Sequence, residues 1–152
     1  MPGLYFDEFE VGRVFKTPSR TITETDVVMF ASMSGDYNEL HTSETFGATT
    51  PFGKRLAHGL LILGISHGLM FRLALFDGTG LALLGVDDWK FQAPVFFGDT
   101  VHCEVTVQDK IPSKTKGDRG VIKFAVAVVN QDGTVVQQGI KTLMIRRQVE
   151  QA

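Results

Sequence analysis

The sequence predicts an α+β fold in which one antiparallel sheet wraps around a single long apolar helix. Two observations lead to this prediction. Residues 57–75 are apolar on nearly every side, so a helix formed there has to be surrounded by the rest of the chain. The second half, from 81 to 145, instead has an apolar-rich segment at 81–91 and then segments that alternate between apolar and polar residues. Short turn signals divide these segments, which is typical of consecutive antiparallel strands.

The first helix is predicted to begin after Thr23 and to end at Gly35. Thr23 can accept a hydrogen bond from a free amide of the first turn, and Glu24 and Asp26 lie at the positive end of the helix. A glycine such as Gly35 is typical of a helix C-terminus. We therefore expect Asp36 on a loop just past a helix end.

Four strands are predicted after the long helix, at 81–91, 100–110, 121–129 and 134–145. Pro94 ends the first of them, Gly98 and Asp99 form a turn, and Asp132 and Gly133 are a hairpin signal. Such a sheet leaves an edge strand unpaired. We expect two copies to cover their edges by forming a homodimer.

Length and charge limit the function classes. The chain has 152 residues, a length that predicts one soluble domain spanning 1–152. It has 15 Lys and Arg against 17 Asp and Glu, and this net charge of -2 gives no basis for binding nucleic acid or an anionic membrane. The apolar stretch 56–76 contains two histidines, an arginine and three glycines, so we interpret it as a buried helix rather than a membrane span. No signal peptide is recognised, and Cys103 is the single cysteine, so a cytoplasmic location is expected.

Asp36 and His41 are the first candidates for catalysis. They lie five residues apart in a short polar segment after a helix end. A carboxylate and an imidazole can hold one water between them, one accepting a proton while the other donates. The residues alone leave the alternative open that Asp36 caps a turn and His41 is a surface residue.

Gly59 is the second candidate, because it lies where the long helix begins. The first turn of a helix has unpaired amides, and a glycine lets a carbonyl oxygen approach them, so negative charge on that oxygen would be stabilised. Packing between helix and sheet is the alternative role. His58 is predicted to be structural beside the helix start and His67 to be a core residue. The sequence contains no recognisable metal-ligating cluster, so neither a metal nor another cofactor is expected.

Several segments together resemble the MaoC-like family, which includes the (R)-specific enoyl-CoA hydratases. Segment 35–41 reads GDYNELH and resembles the family's G-D-x-N-P-[LIV]-H motif. Further similarity lies in 5–12 (YFDEFEVG), 50–53 (TPFG), 57–60 (AHGL), 89–91 (WKF) with 94–95 (PV), and 98–100 (GDT), so the resemblance covers about residues 4–145.

The resemblance implies a hot-dog fold and the reversible addition of water across the 2,3 double bond of an enoyl-CoA or an acyl-carrier-protein thioester. It implies that Asp36 and His41 bind the attacking water together. The sequence does not decide which of the two is the base, and we favour Asp36. Asn38 would support the loop, and the Gly59 N–H would bind the thioester oxygen. His58 and His67 are expected in the substrate pocket or in support of the loop.

Two departures and two alternative functions stay open at this point. Glu39 replaces the motif proline, and His67 stands near a position where family members often carry serine. A hot-dog thioesterase would use the same ligand with attack at C1, and a non-catalytic acyl-thioester binding subunit is the alternative outside enzymes. Candidates for contacting the CoA phosphates are in the loop (Lys114, Lys116, Arg119) or before the helix (Lys54, Arg55).

Overall fold

The computed structural model describes residues 3–149, which form six strands and four α-helices. The strands are Val14–Lys16 (β1), Arg20–Thr21 (β2), Gly80–Phe91 (β3), Thr100–Pro112 (β4), Arg119–Val129 (β5) and Val135–Arg146 (β6). The helices are Glu24–Ser34 (α1), Glu39–Thr42 (α2), Glu44–Thr49 (α3) and Gly59–Phe71 (α4), and a short 3₁₀ helix covers Phe6–Glu8.

The sheet is antiparallel throughout and has the strand order β1-β4-β5-β6-β3, with β2 paired to β4 beside β1. The four long strands are those expected from the sequence. Alternation places Ile122, Phe124, Val126 and Val128 of β5 on one buried face. β3 lies at one end of the sheet, and one of its edges has no partner strand among residues 3–149.

Helix α4 packs against this buried face, so the predicted arrangement of a sheet around an apolar helix is confirmed. Its inward residues are Ile62, Ile65, Leu69 and Met70, all nearly inaccessible to solvent. They share one core with the inward residues of β4, β5 and β6. Burial of this apolar area is the main contribution to the stability of the fold.

Helix α4 is shorter than the predicted 57–75. Ala57 donates a sheet-like hydrogen bond to Val95 O, and the helix begins only at Gly59. After Phe71 the backbone bonds tighten to three-residue turns, and Ala74 adopts a φ of 56°, in the left-handed region where an α-helix cannot continue. The apolar composition persists to Leu75, which is why the sequence pattern overestimated the helix.

One side of α4 is open in the single chain, so the expectation that the helix is surrounded on all sides is wrong for one copy. Leu60 is 62% exposed and Phe71 is 40% exposed on this side. A Cβ added at Gly64 or Gly68 would meet nothing within 4 Å, so these glycines do not provide a close approach for a strand.

The sequence pattern missed the shortest elements, β1, β2, α2 and α3. Two of them matter for the site, because α2 and α3 hold the segment between α1 and α4 against the core. Among residues 3–149, the helices all fall short of the length and apolarity that crossing a bilayer requires.

Candidate active site

The loop after α1 fixes the Asp36 carboxylate near the surface. Gly35 ends the helix with a φ of 76° and donates its N–H to Ala31 O at 2.9 Å. Asp36 Oδ1 accepts the Asn38 N–H at 3.2 Å, and the Asp36 N–H donates to Ser34 Oγ at 3.2 Å. These short-range bonds leave Oδ2 free and the side chain 51% exposed.

Helix α2 presents His41 to this carboxylate. Asn38 caps α2, since its Oδ1 accepts the N–H of the residue two positions later at 2.9 Å. His41 is 8% exposed, and its Nδ1 lies 2.7 Å from Leu56 O. A carbonyl oxygen only accepts, so Nδ1 carries the proton and Nε2 keeps its lone pair in the neutral ring. Nε2 lies 4.0 Å from Asp36 Oδ2.

His58 supports both members of this pair. It is 2% exposed, and its Nε2 donates to the backbone oxygen of Asp36 at 2.9 Å. Its ring stacks on His41 with centroids 3.8 Å apart and an interplanar angle of 26°, while Phe30 covers it at 4.8 Å. His58 therefore links the end of α1, the α2 segment and the start of α4.

The fold brings Asp36, His41 and His58 together as three potential metal ligands within 4.8 Å of one another. The sequence predicted no such cluster, because His58 is 17 residues from His41 in the chain. One nitrogen of each ring already faces a backbone oxygen, so each imidazole has one nitrogen left for a ligand.

A pocket of about 420 Å³ opens beside His41 and the start of α4. Its walls are mostly apolar, and its lining is Leu40, His41, Phe52, Leu56, Ala57, Gly59, Ile62, Phe91, Gln92, Ala93, Pro94, Val95 and Gln137. The Gly59 N–H is the first of α4 and so lies outside the hydrogen-bond ladder of the helix. The ring of Phe91 packs directly on Gly59, since a Cβ there would lie 2.8 Å from Phe91 Cδ1.

Gln137 and Trp89 are pocket-side residues that the sequence did not single out as site residues. Gln137 is 2% exposed and donates Nε2–H to Gly59 O at 3.0 Å. Its Oε1 accepts the indole N–H of Trp89 at 3.0 Å. No local signal could identify Gln137, because its partner is 78 residues away and the residue sits in an ordinary alternating strand.

A family model for MaoC-like domains matches residues 8–130. The chain belongs to the MaoC-like domain family. Its relatives with named activities include hydratases and dehydratases, so the chain is an enzyme of this MaoC-like type, as the resemblance in segment 35–41 predicted.

Named relatives have related activities. The chain is 42% identical over 114 residues to a 3-hydroxybutyryl-CoA dehydratase of Methylorubrum extorquens, covering 74% of this chain and 69% of that protein. It is 37% identical over 144 residues to an (R)-specific enoyl-CoA hydratase of Rhodospirillum rubrum, covering 93% and 91%. A double hot-dog protein of Mycobacterium tuberculosis superposes with a TM-score of 0.83 at 20% identity, covering 99% of this chain and 46% of that one, which shows the hot-dog fold.

His67 lies apart from the MaoC-like pocket and does not line it. It is half-buried in α4 beside Phe71, with ring centroids 4.9 Å apart. Burial, together with the nearby Lys141 ammonium, lowers the pKa of His67 to about 4. His67 is eight residues along α4 from Gly59, which corresponds to roughly 12 Å at a rise of 1.5 Å per residue.

The two groups of basic residues lie at different distances from the pocket. The loop with Lys114 and Lys116 joins β4 to β5 at the end of the sheet opposite Gln137, since Gly120 pairs with Ile145 while Gln137 pairs with Val128. Arg119 is held by Asp118 in this region. Before α4, Arg55 is held by Glu24 and Glu44, whereas Lys54 is exposed with its Nζ 4.3 Å from the centre of the Phe96 ring.

Proposed function

We propose that this protein catalyses the reversible hydration of a trans-2-enoyl-CoA thioester, with Asp36 and His41 holding the water and the Gly59 N–H binding the thioester oxygen. The observation that supports this most is the gap of 4.0 Å between Asp36 Oδ2 and His41 Nε2. His41 lines a largely apolar pocket that also contains the start of α4, so the gap lies beside this pocket. The activities named for the relatives support the same reaction.

The gap has the size that one bridging water needs. A water oxygen 2.8 Å from both atoms would subtend an angle of about 90°, which ordinary hydrogen bonds allow. Ionised Asp36 and the Nε2 of neutral His41 both accept hydrogen bonds, so the water donates both of its hydrogens. Its lone pairs then point away from the pair and are free to attack carbon.

Hydration then proceeds with balanced bonds and charges. The water oxygen bonds to C3 of the enoyl group while one water proton passes to Asp36. The electron pair of the C2–C3 double bond moves to give an enolate, whose negative charge rests on the thioester oxygen and is stabilised by the Gly59 N–H. The Asp36 and His41 pair then returns a proton to C2, and the 3-hydroxyacyl thioester leaves. Dehydration is the same sequence reversed.

His58 and Asn38 are part of the proposal as supporting residues. His58 holds the Asp36 backbone and stacks on the His41 ring, and Asn38 caps the helix that carries His41. For the CoA phosphates, Lys54 is favoured over Lys114 and Lys116. Its neighbours in the chain, Phe52 and Leu56, line the pocket, and so do residues 94–95. A carrier-protein thioester would place the same phosphopantetheine arm at the same residues.

We further propose that the chain is one domain over 1–152 and acts as a homodimer. The free edge of β3 carries exposed apolar residues, among them Leu83 and Leu84 at 47% and 50%, and α4 exposes Leu60 and Phe71. A second copy that pairs with β3 would satisfy backbone groups and cover apolar surface at the same time. A cytoplasmic location stays a prediction from the sequence.

The proposal is tested by following loss of the enoyl-thioester absorbance on a panel of trans-2-enoyl-CoA substrates, with product chirality recorded. Asp36→Asn and His41→Ala are each expected to lose at least about 100-fold in rate, as for a positioned acid or base. Matched controls are Asp132→Asn in an exposed hairpin and His102→Ala on β4, both away from the pocket. Retained activity in the Asp36 and His41 variants would reject the assignment, and a silent wild type would favour the binding-subunit alternative.

A further inference from the structure

We infer that Gln137, oriented by Trp89, is a positioning residue that holds the first turn of α4, and with it the Gly59 N–H, in the geometry needed for the thioester oxygen. The inference rests on the proposed function, since its main readout is hydration rate. It goes further by assigning a specific task to two residues that have no place in the motif segment.

The bonds that carry the inference form a short chain across three elements. The Trp89 indole N–H on β3 donates to Gln137 Oε1 at 3.0 Å, and Gln137 Nε2–H on β6 donates to Gly59 O at 3.0 Å. The first helical residue is therefore tied to the sheet at its carbonyl. Its N–H, on the other side of the same residue, is left for a ligand.

The orientation of the Gln137 amide is fixed by its partners. An indole N–H can only donate and a backbone carbonyl can only accept, so Oε1 faces Trp89 and Nε2 faces Gly59. Gln137 is 2% exposed, which keeps water from competing for either bond. Trp89 is itself held in place over Gly139, where an added Cβ would lie 2.7 Å from Trp89 Cε3.

Lys141 offers a structural comparison on the same strand face. It is fully buried, and its Nζ donates to Ser66 Oγ of α4 at 2.7 Å. Both Gln137 and Lys141 therefore connect β6 to α4 through one side-chain donor. Only Gln137 reaches the first turn. Lys141 Nζ also lies 5.2 Å from the centre of the Trp89 ring, so loss of Lys141 should affect the fold and disturb Gly59 only weakly, through Trp89.

The experiment compares Gln137→Glu, Gln137→Met and Lys141→Met with the wild-type protein. For each, kcat on an enoyl-CoA, the inhibition constant of a saturated acyl-CoA and the thermal unfolding midpoint are measured. Both Gln137 variants are expected to lose at least about tenfold in kcat, because small misplacements of a catalytic group are costly. The saturated acyl-CoA should still bind within about threefold of wild type, as when an interaction matters mainly in the transition state. Lys141→Met should keep kcat within about threefold of wild type, because it contacts the Trp89 ring and not the Gln137 amide.

The glutamate variant adds a readout that a purely structural role would not give. Glu has the size of Gln, and its ionised form cannot donate to Gly59 O, whereas its protonated form can. The ratio of Gln137→Glu to wild-type kcat is therefore expected to rise as pH is lowered from about 8 to about 6, since burial raises the pKa of a carboxyl group.

Three results would overturn the inference. They are a wild-type kcat in both Gln137 variants, a kcat loss in Lys141→Met equal to that in Gln137→Met, and a glutamate ratio independent of pH. Failure of the proposed function is a separate outcome, because the wild-type protein would then show no hydration at all.

Discussion

Replacing Gly59 by alanine is expected to slow the reaction without unfolding the protein. The added Cβ would lie 2.8 Å from Phe91 Cδ1 and 3.0 Å from Cε1. Carbon atoms in contact prefer about 3.5–4.0 Å, so the ring or the helix start has to move by roughly 1 Å. Phe91 and Gly59 both line the pocket, and the Gly59 N–H is the group proposed to bind the thioester oxygen.

The size of the effect follows from this displacement. A misplacement of about 1 Å can cost about 100-fold in rate, which corresponds to about 2.7 kcal/mol in the activation free energy. Stability should change less. Phe91 is 55% exposed and its ring can turn toward solvent. Alanine in a helix is at most about 1 kcal/mol more favourable than glycine, so the free energy of unfolding should stay within about that range.

The assay is kcat/KM for hydration of a short trans-2-enoyl-CoA, with urea unfolding measured on the same samples. The variant Phe91→Ala and the double variant Gly59→Ala with Phe91→Ala complete a double-mutant cycle. If the clash with the ring causes the loss, adding Gly59→Ala to Phe91→Ala should cost clearly less than adding it to wild type. Activity of Gly59→Ala within about threefold of wild type would refute the role given to this glycine.

Three further predictions concern pH, metals and assembly. The pKa of His67 is about 4 in the folded chain and 6.5 in the unfolded chain. The neutral ring therefore favours folding fully above pH 6.5, and this contribution is lost as pH falls toward 4. His67→Gln should therefore show a smaller fall in unfolding free energy between those pH values, measured by urea titration. Chelator dialysis should leave kcat unchanged, because Asp36 and His41 are proposed to act on water without a metal. Leu84→Asp on the β3 edge should shift the protein from dimer to monomer in sedimentation.

Each of these predictions has a clear contrary result. An equal pH dependence in wild type and His67→Gln would show that His67 does not contribute to acid destabilisation. Loss of activity on chelation that zinc restores would make the three-ligand cluster a metal site. A wild-type protein that sediments as one chain at assay concentration would contradict pairing through the β3 edge. Leu81→Asp is a second variant on the same strand and should shift the dimer to monomer as Leu84→Asp does.

Elements with local signals were predicted well from the sequence. The α1 boundaries follow from Thr23 and Gly35, because a cap and a left-handed glycine act over three or four residues. Strands β4 and β5 follow from alternation, because one face of the sheet is buried under α4, whereas β3 follows from its apolar composition although nearly all of its residues are exposed in the single chain. The end of α4 was wrong because composition stays apolar through Leu75, while Ala74 turns the backbone left-handed, which no apolar pattern encodes.

Contacts between distant parts of the chain could not be predicted in this way. The motif segment made Asp36 and His41 the candidate pair, but the stacking of His58 on His41 depends on how α2 and α4 meet. The Gln137 bond to Gly59 depends on strand register across the sheet. The family resemblance led to the expectation of His67 in the pocket or as loop support, yet His67 lies roughly 12 Å along α4 from Gly59 and does not line the pocket.

The most direct test of the proposed chemistry is to incubate the protein with a trans-2-enoyl-CoA in ¹⁸O-labelled water and locate the label by mass spectrometry. The expected result is one ¹⁸O in the 3-hydroxyl group of an intact acyl-CoA, formed by wild type and reduced at least about 100-fold in Asp36→Asn and His41→Ala. Label in a free carboxylate, with release of CoA thiol, would contradict hydration and show attack at C1, and no incorporation into any product of the wild type would contradict catalysis on this substrate class.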